Sequence, residues 1–318
     1  MKVLMYHYVR EFDREMPDLN FLHVDDFCKQ LDFLGEEYGF ITKQDFLESI
    51  NLREECPKGV VLTFDDGLKD HLDFVLPSLL QRNLWGVFYV SSGIYSKEKM
   101  LPVQKTQFLL AKYGAKKILE TINEVKKDFN DLDKSLTSAH EEKVYLAQDL
   151  SAEEAVVKKI LNFYLEPSTK DLLTSTLLKI FGENEENLIE RFYLSKQDIK
   201  ILDKAGMILG GHGVSHQPMV NLSDEESEYE ITESLEFLEL LLGKTTTRTF
   251  CYPHGLKHTF QDREIRTLDK LCVDFSFAVE SRDVNSRDLK SNIHALPRYD
   301  CNEFKYGSSY KYKVQSKV

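Results

Sequence analysis

Seven short apolar runs rich in Val, Ile, Phe and Tyr recur along the 318-residue chain: VLMYHYV (3–9), GVVLTFD (59–65), WGVFYV (85–90), MILGG (207–211), TFCYP (249–253), FSFAVE (275–280) and HALPRY (294–299). Most lack the alternation of apolar and polar residues that marks a strand with one wet face. Strands buried on both faces read this way, as in parallel sheets and barrels. Helical patterns lie between several of the runs. VDDFCKQLDFLGEEYG has apolar residues at helical spacing and stops at a glycine, and LSDEESEYEITESLEFLELLLG opens with Ser223 and Glu226 in capping-box spacing and closes at Gly243. Strands alternating with helices predict an α/β architecture, and seven strand candidates predict a barrel.

One region breaks the rhythm. From Ser96 to Ser195 there is almost no strand signal, and Pro102, Gly114, Pro167 and Gly182 are its only prolines and glycines. SAEEAVVKKILNFYL starts with Ser151 and Glu154 in capping-box spacing, and Val156, Val157, Ile160, Leu161, Tyr164 and Leu165 then form one apolar face. Residues 96–195 are therefore expected to be a helical insertion, acting as a lid, a substrate-recognition element or a dimerisation element. The barrel is expected to occupy 1–95 and 196–318. Because segments leaving the C-terminal ends of barrel strands rise around the active-site mouth, an insertion after WGVFYV is expected to narrow it.

The net charge of −12 argues against nucleic acid as the main partner. The five cysteines are scattered and form no CxxC, so neither a disulfide framework nor a structural zinc site is expected. The opening MKVLMYHYVR has no apolar stretch suited to a signal peptide, and no run approaches transmembrane length. These features predict a cytoplasmic protein.

Three separated stretches carry the chemistry: TFDDG (63–67), GGHGVSHQP (210–218) and FCYPHG (250–255). Each alone is commonplace, the first and third as turns and the second as an accidental pair of histidines. Together they describe a divalent-metal site. Two imidazoles and one carboxylate are a frequent ligand set for catalytic zinc, which keeps a position open for water. The i, i+4 spacing of His212 and His216 predicts a helical turn that points both rings the same way. Two adjacent carboxylates then divide the work, one on the metal and the other as a general base for its water. The ion's charge removes the repulsion between them, and Gly67 lets the chain turn sharply after the strand.

In these stretches, and across VVLTFDDGLKDHLDFVLPSLLQRNLWGVFYV and AGMILGGHGVSHQPMV, the chain resembles the polysaccharide deacetylases, the NodB-homology carbohydrate esterases. The likeness covers about 1–95 and 196–304 and leaves out the insertion. It implies a distorted (β/α)7 barrel, with Asp65 as catalytic base and Asp66, His212 and His216 as metal ligands. Gly213 stands where the family often has a hydroxyl that helps hold the loop, which implies a looser loop here. Cys251 stands where many members carry an arginine. Arg298 is the candidate to replace it as partner of Asp65, the alternative being a surface ion pair. His7 resembles the acid of a subgroup that carries this histidine on its first strand; the alternatives are a core histidine at position 7 and His294 as the acid. A backbone N–H around Tyr252 is the candidate oxyanion donor. Pro253 belongs to the same substrate-facing stretch, and His254 is read as pocket wall.

The expected activity is metal-dependent hydrolysis of an N-acetyl group on a sugar, with one divalent ion, zinc first. The expected substrates are cytosolic: a nucleotide sugar, a lipid-linked sugar or another glycan precursor. A homo-oligomer is compatible with the insertion. The alternatives are hydrolysis of another C–N amide bond, by deformylation or ring opening, and a non-catalytic sugar-binding barrel.

Overall fold

A computed structural model describes residues 1–129, 132, 151–161, 165–243 and 247–310. Tyr164, assigned above to the apolar face of a helix, lies outside the described residues. Nine strands are described: β1 (Lys2–Tyr6), β2 (Val9–Arg10), β3 (Leu22–His23), β4 (Val60–Phe64), β5 (Val87–Val90), β6 (Ile208–Gly211), β7 (Thr249–Leu256), β8 (Phe275–Val279) and β9 (Tyr299–Asp300). Seven of them form one sheet in the order β8-β7-β6-β5-β4-β1-β9, and every pairing in it is parallel. β2 and β3 make a small separate pair.

The missing period-2 pattern has the expected cause. In β4 all five residues are buried. Val61 belongs to an inner apolar cluster with Val3, Val87, Tyr89, Cys251, Phe275 and Phe277. Val60, Leu62 and Phe64 belong to an outer one with Leu31 and Leu34 of the helix Val24–Glu37 and Ile199 and Leu202 of the helix Lys196–Lys204. Both faces are apolar because one fills the barrel and the other seats its helices.

β9 is only two residues long, paired to β1 through Leu4–Tyr299 and Met5–Asp300. The stretch leading into it reaches back to β8. Leu296 N–H donates to Ser276 O and its carbonyl accepts from Ala278 N–H, each at 2.9 Å, while Glu280 N–H donates to Arg298 O at 3.2 Å. The result is a nearly closed seven-stranded parallel barrel with helices, the distorted (β/α)7 form expected. Since all seven strands run the same way, the residues after their C-terminal ends share one rim: His7, Asp65, Ser91 and His212 among them.

The chain forms two compact units. Met1–Glu11, Phe21–Lys97 and Glu190–Val318 make the barrel unit; Phe12–Asn20 and Glu98–Ile189 make the other. The second is helical, with helices Pro102–Tyr113, Ala115–Val125, Ala152–Lys159 and Pro167–Ile180. Phe108, Ile118, Ile122, Val157, Ile160, Leu161, Leu173 and Leu177 are fully buried. Lys105 is buried with them, its ammonium 2.8 Å from each of Asp171, Ser175 and Glu185, so the charge is met by acceptors on several sides. Phe12–Asn20 joins this unit although its sequence carries neither a helical nor a strand pattern. Among the described residues no helix is long and apolar enough to cross a membrane.

Candidate metal centre

β4 delivers both aspartates. Thr63 and Asp65 continue the inward row begun by Val61, and Asp65 N–H donates to Tyr6 O at 2.9 Å, extending the ladder by one residue. Asp66 and Gly67 then turn the chain with φ of 77° and 64°. The glycine was expected to do this. The aspartate in the same left-handed region was not, and it stores about 1–2 kcal/mol of strain.

Asp65 is 2% exposed. Arg298, 1% exposed, grips it with both ends of the guanidinium, Nη1 to Oδ1 at 2.9 Å and Nη2 to Oδ2 at 2.8 Å. The same guanidinium donates to Thr63 Oγ1 and lies 2.9 Å from Cys251 Sγ. Arg298 is thus a buried fork inside the barrel and not a surface ion pair. The contact depends on a small residue at 251, which leaves room for the fork. Burial pushes the Asp65 carboxyl up, but Arg298, together with the imidazoles of His212 and His7, more than reverses this and holds the group down at about 2.

Asp66, 3% exposed, faces the two histidines. Its Oδ1 lies 3.4 Å from His212 Nε2 and 3.2 Å from His216 Nε2. Burial pushes its carboxyl up, and the two imidazoles more than reverse this, leaving it well below the usual range. His212 follows the last residue of β6. Its N–H donates to Val90 O at 3.0 Å, and its ring Nδ1 donates to Cys251 O at 2.7 Å. A carbonyl only accepts, so in the neutral ring Nε2 is left as a lone-pair donor aimed at the centre. His216 is not on a helical turn with it. Residues 212–218 are a loop, with φ of 72° at Gly213 and 57° at His216. The two rings converge, 4.9 Å apart, because the loop folds back.

The donor set fits a divalent ion. One ligand atom from each of Asp66, His212 and His216 lies within 4.8 Å of the others. The Nε2–Oδ1 separations of 3.4 and 3.2 Å are close to the spacing of about 3.4 Å expected between two donors on a tetrahedral ion with bonds near 2.1 Å. A second cluster of similar size, Asp65, His212 and Cys251, fits less well. Its carboxylate and thiol already face the Arg298 guanidinium, a cation in place.

The other predicted residues separate. His7 lies one residue beyond β1 and is exposed, so it is neither inside the strand nor a core histidine. Its carbonyl accepts from Nε2 of His71 at 3.1 Å. His294 is buried elsewhere, with Nε2 3.0 Å from Asp269 and Nδ1 3.5 Å from Ser276. Tyr252 turns its ring to the outer layer, stacked on Phe260 and donating its hydroxyl to His294 O at 2.7 Å, so only its backbone is left for the site. Pro253 is buried beside it in β7. His254, left-handed at φ 63°, brings its ring within 5.0 Å of His216.

The residues that hold the histidine loop were missed. Glu230, on the helix Asp224–Leu242, accepts from Val214 N–H at 2.6 Å, Ser215 N–H at 2.8 Å and Ser215 Oγ–H at 2.5 Å. From the other side Ser91 Oγ–H, Ser92 N–H and Gly93 N–H donate to the carbonyls of His212, Gly213 and Val214 in turn, at 2.9, 3.0 and 3.0 Å. Gly213 therefore does not loosen the loop. A Cβ there would sit 2.8 Å from the Glu230 carboxylate. The available signal was a glutamate adjoining Ile231 on the helix face that also buries Ser227, Ser234 and Leu238.

Comparison with known proteins bears on the fold and on part of the sequence. The family model described as polysaccharide deacetylase matches residues 172–271, which include both histidines and TFCYPHG but not TFDDG. Among solved structures, the Streptococcus pyogenes deacetylase PplD in complex with acetate aligns with a TM-score of 0.57 at 15% identity, over 94% of this chain and 91% of that one. IcaB from Ammonifex degensii aligns at 0.50 and 17%, over 87% and 82%. The BpsB deacetylase domain from Bordetella bronchiseptica aligns at 0.50 and 13%, over 94% of each chain. No curated protein sequence matches the chain. At these identities the structural likeness is one of fold. The chain shares its fold with these deacetylase structures, and residues 172–271 match the polysaccharide deacetylase family model.

Proposed function

We propose that the chain is a metal-dependent hydrolase that removes the N-acetyl group from a sugar or glycan precursor. The observation that carries the reading is the convergence of Asp66, His212 and His216 on one point, with a second carboxylate, Asp65, beside it and separately anchored. Asp66, His212 and His216 would hold a divalent ion, zinc first, which would supply Lewis-acid polarisation of an amide carbonyl and a more acidic water, and Asp65 would take the water's proton. Arg298 keeps that carboxylate ionised and fixed in direction. His7, exposed on the rim, gives a proton to the departing sugar amine. The Tyr252 backbone N–H faces the developing oxyanion, and His254 walls the pocket beside His216.

The Streptococcus protein's structure is a complex with acetate, and acetate is the co-product of the reaction proposed here. The substrates proposed are N-acetylated nucleotide sugars, lipid-linked sugars and glycan precursors of the cytosol; the free thiols of Cys28, Cys56, Cys251, Cys272 and Cys301 suit a reducing compartment. The helical unit is proposed to act in substrate recognition. A screen of N-acyl sugars in free, nucleotide-linked and lipid-linked form, scored by acetate or formate, tests the reading. Acetate release from at least one N-acetyl sugar is expected. Formate alone, or no release from a metal-loaded sample, contradicts it.

A further inference from the structure

The two histidines of the centre are oriented by different means. His212 follows a strand, and its ring Nδ1 is tied to Cys251 O at 2.7 Å. His216 has no such tie: among the described residues its buried Nδ1 has no hydrogen-bond partner. Its own backbone is left-handed, at φ 57°. A metal-binding imidazole is ordinarily held by a hydrogen bond on its second nitrogen, which fixes tautomer and orientation. At His216 that work falls on the loop backbone.

We propose that Glu230 is the positioning residue for His216, replacing the missing ring hydrogen bond by fixing the backbone that carries it. Glu230 is 6% exposed, and its carboxylate accepts three donors from two consecutive residues, Val214 N–H, Ser215 N–H and Ser215 Oγ–H. All three lie one or two residues before His216. The opposite edge of the loop is held by Ser91, Ser92 and Gly93, so Glu230 closes the one side left open. Gly213 belongs to the same device, since any Cβ at that position would press on the carboxylate at 2.8 Å. The proposal rests on the metal-site reading above.

The test is zinc affinity, by competition with a chromophoric chelator, measured beside the thermal midpoint of the metal-free protein. Glu230→Leu removes every acceptor and should weaken zinc binding roughly 10–100-fold. Glu230→Gln keeps an amide oxygen for the two N–H groups and an NH2 for Ser215 Oγ, so it should stay within about threefold of the parent. Gly213→Ala, which keeps the Glu230 side chain but crowds its carboxylate, should weaken zinc about tenfold or more, and parent-like affinity in it decides against the proposal if the leucine variant does not fold. Parent-like zinc affinity in Glu230→Leu or Gly213→Ala overturns the proposal. So does a loss in Glu230→Gln as large as in Glu230→Leu, because charge and not hydrogen-bond geometry would then be the cause. His216→Ala is run alongside. If it too binds zinc like the parent, the metal-site reading has failed and the Glu230 proposal with it; if it loses zinc while Glu230→Leu does not, only the Glu230 proposal falls.

Discussion

Asp65 and Asp66 are adjacent in sequence, yet they belong to two regions built on different principles. Asp65 stands on the last inward rung of β4 and is gripped from within the barrel by Arg298, which also touches Thr63 and Cys251. Side chains on three segments, β4, β7 and the stretch leading into β9, define its position. Asp66 begins a left-handed turn and meets two histidines, one at a strand end and one on a loop with two left-handed residues, Gly213 and His216. Backbone hydrogen bonds from Glu230 and from Ser91–Gly93 define that side. The interior half is a lattice of side chains and the rim half a tied loop. A base needs direction at one atom, whereas a ligand set needs several segments brought to one point.

If the halves are separable, substitutions should divide cleanly between metal content and turnover. The largest effect should come from His216→Ala, which removes one of three ligand donors. Metal stoichiometry after dialysis should fall close to zero while circular dichroism is kept, since the barrel core does not include that side chain. Asp66→Asn should weaken metal binding in the same assay. Asp65→Asn should do the reverse: full metal content, with kcat lowered by about 10²–10⁴-fold, the range for removal of a general base. Equal loss of metal in both aspartate variants would erase the comparison.

His7→Ala sharpens it, because His7 belongs to neither half. Metal content should be unchanged and amide hydrolysis should fall within about 10²–10⁴-fold, while an activated ester, whose leaving group needs no proton, is spared. The same amide-selective loss in His294→Ala instead would move the acid, although His294 is committed to Asp269 and Ser276.

Arg298→Met tests the interior half by stability. It strands a buried carboxylate, so unfolding should become easier by about 3–5 kcal/mol. The pH sign follows from the carboxyl, whose folded value of about 2 lies below its ordinary 3.8. A depressed value stabilises the fold above the ordinary one, and that contribution is lost as pH falls from about 4 toward 2. Denaturant unfolding across that window should show the parent losing stability on acidification and Arg298→Met losing much less.

What the chain revealed in advance was set by local pattern. Seven strands could be read because burial on both faces leaves continuous apolar runs, and Asp65, Asp66, His212 and His216 could be read because their spacing is local to short stretches. β9 could be placed but not sized: closure on the β8 side is made by 296–298 and leaves only Tyr299–Asp300 paired with β1. The helical turn read from the His212–His216 spacing failed because Gly213 takes φ 72°, a choice that i, i+4 spacing does not encode. Glu230 was missed because it meets the loop from 15 residues away on a helix that its other residues already explain. Arg298 was picked out, but its burial depends on how 296–298 closes the barrel, which is tertiary.

The most direct test is acetate release from the N-acetyl sugar that responds in the substrate screen, by one preparation in three states: as purified, stripped by chelator, and reloaded with zinc. The account predicts release that stops on stripping and returns on reloading, with Asp65→Asn inactive in the reloaded state despite full metal content. Release at an undiminished rate from the stripped protein, or from reloaded Asp65→Asn, would contradict it.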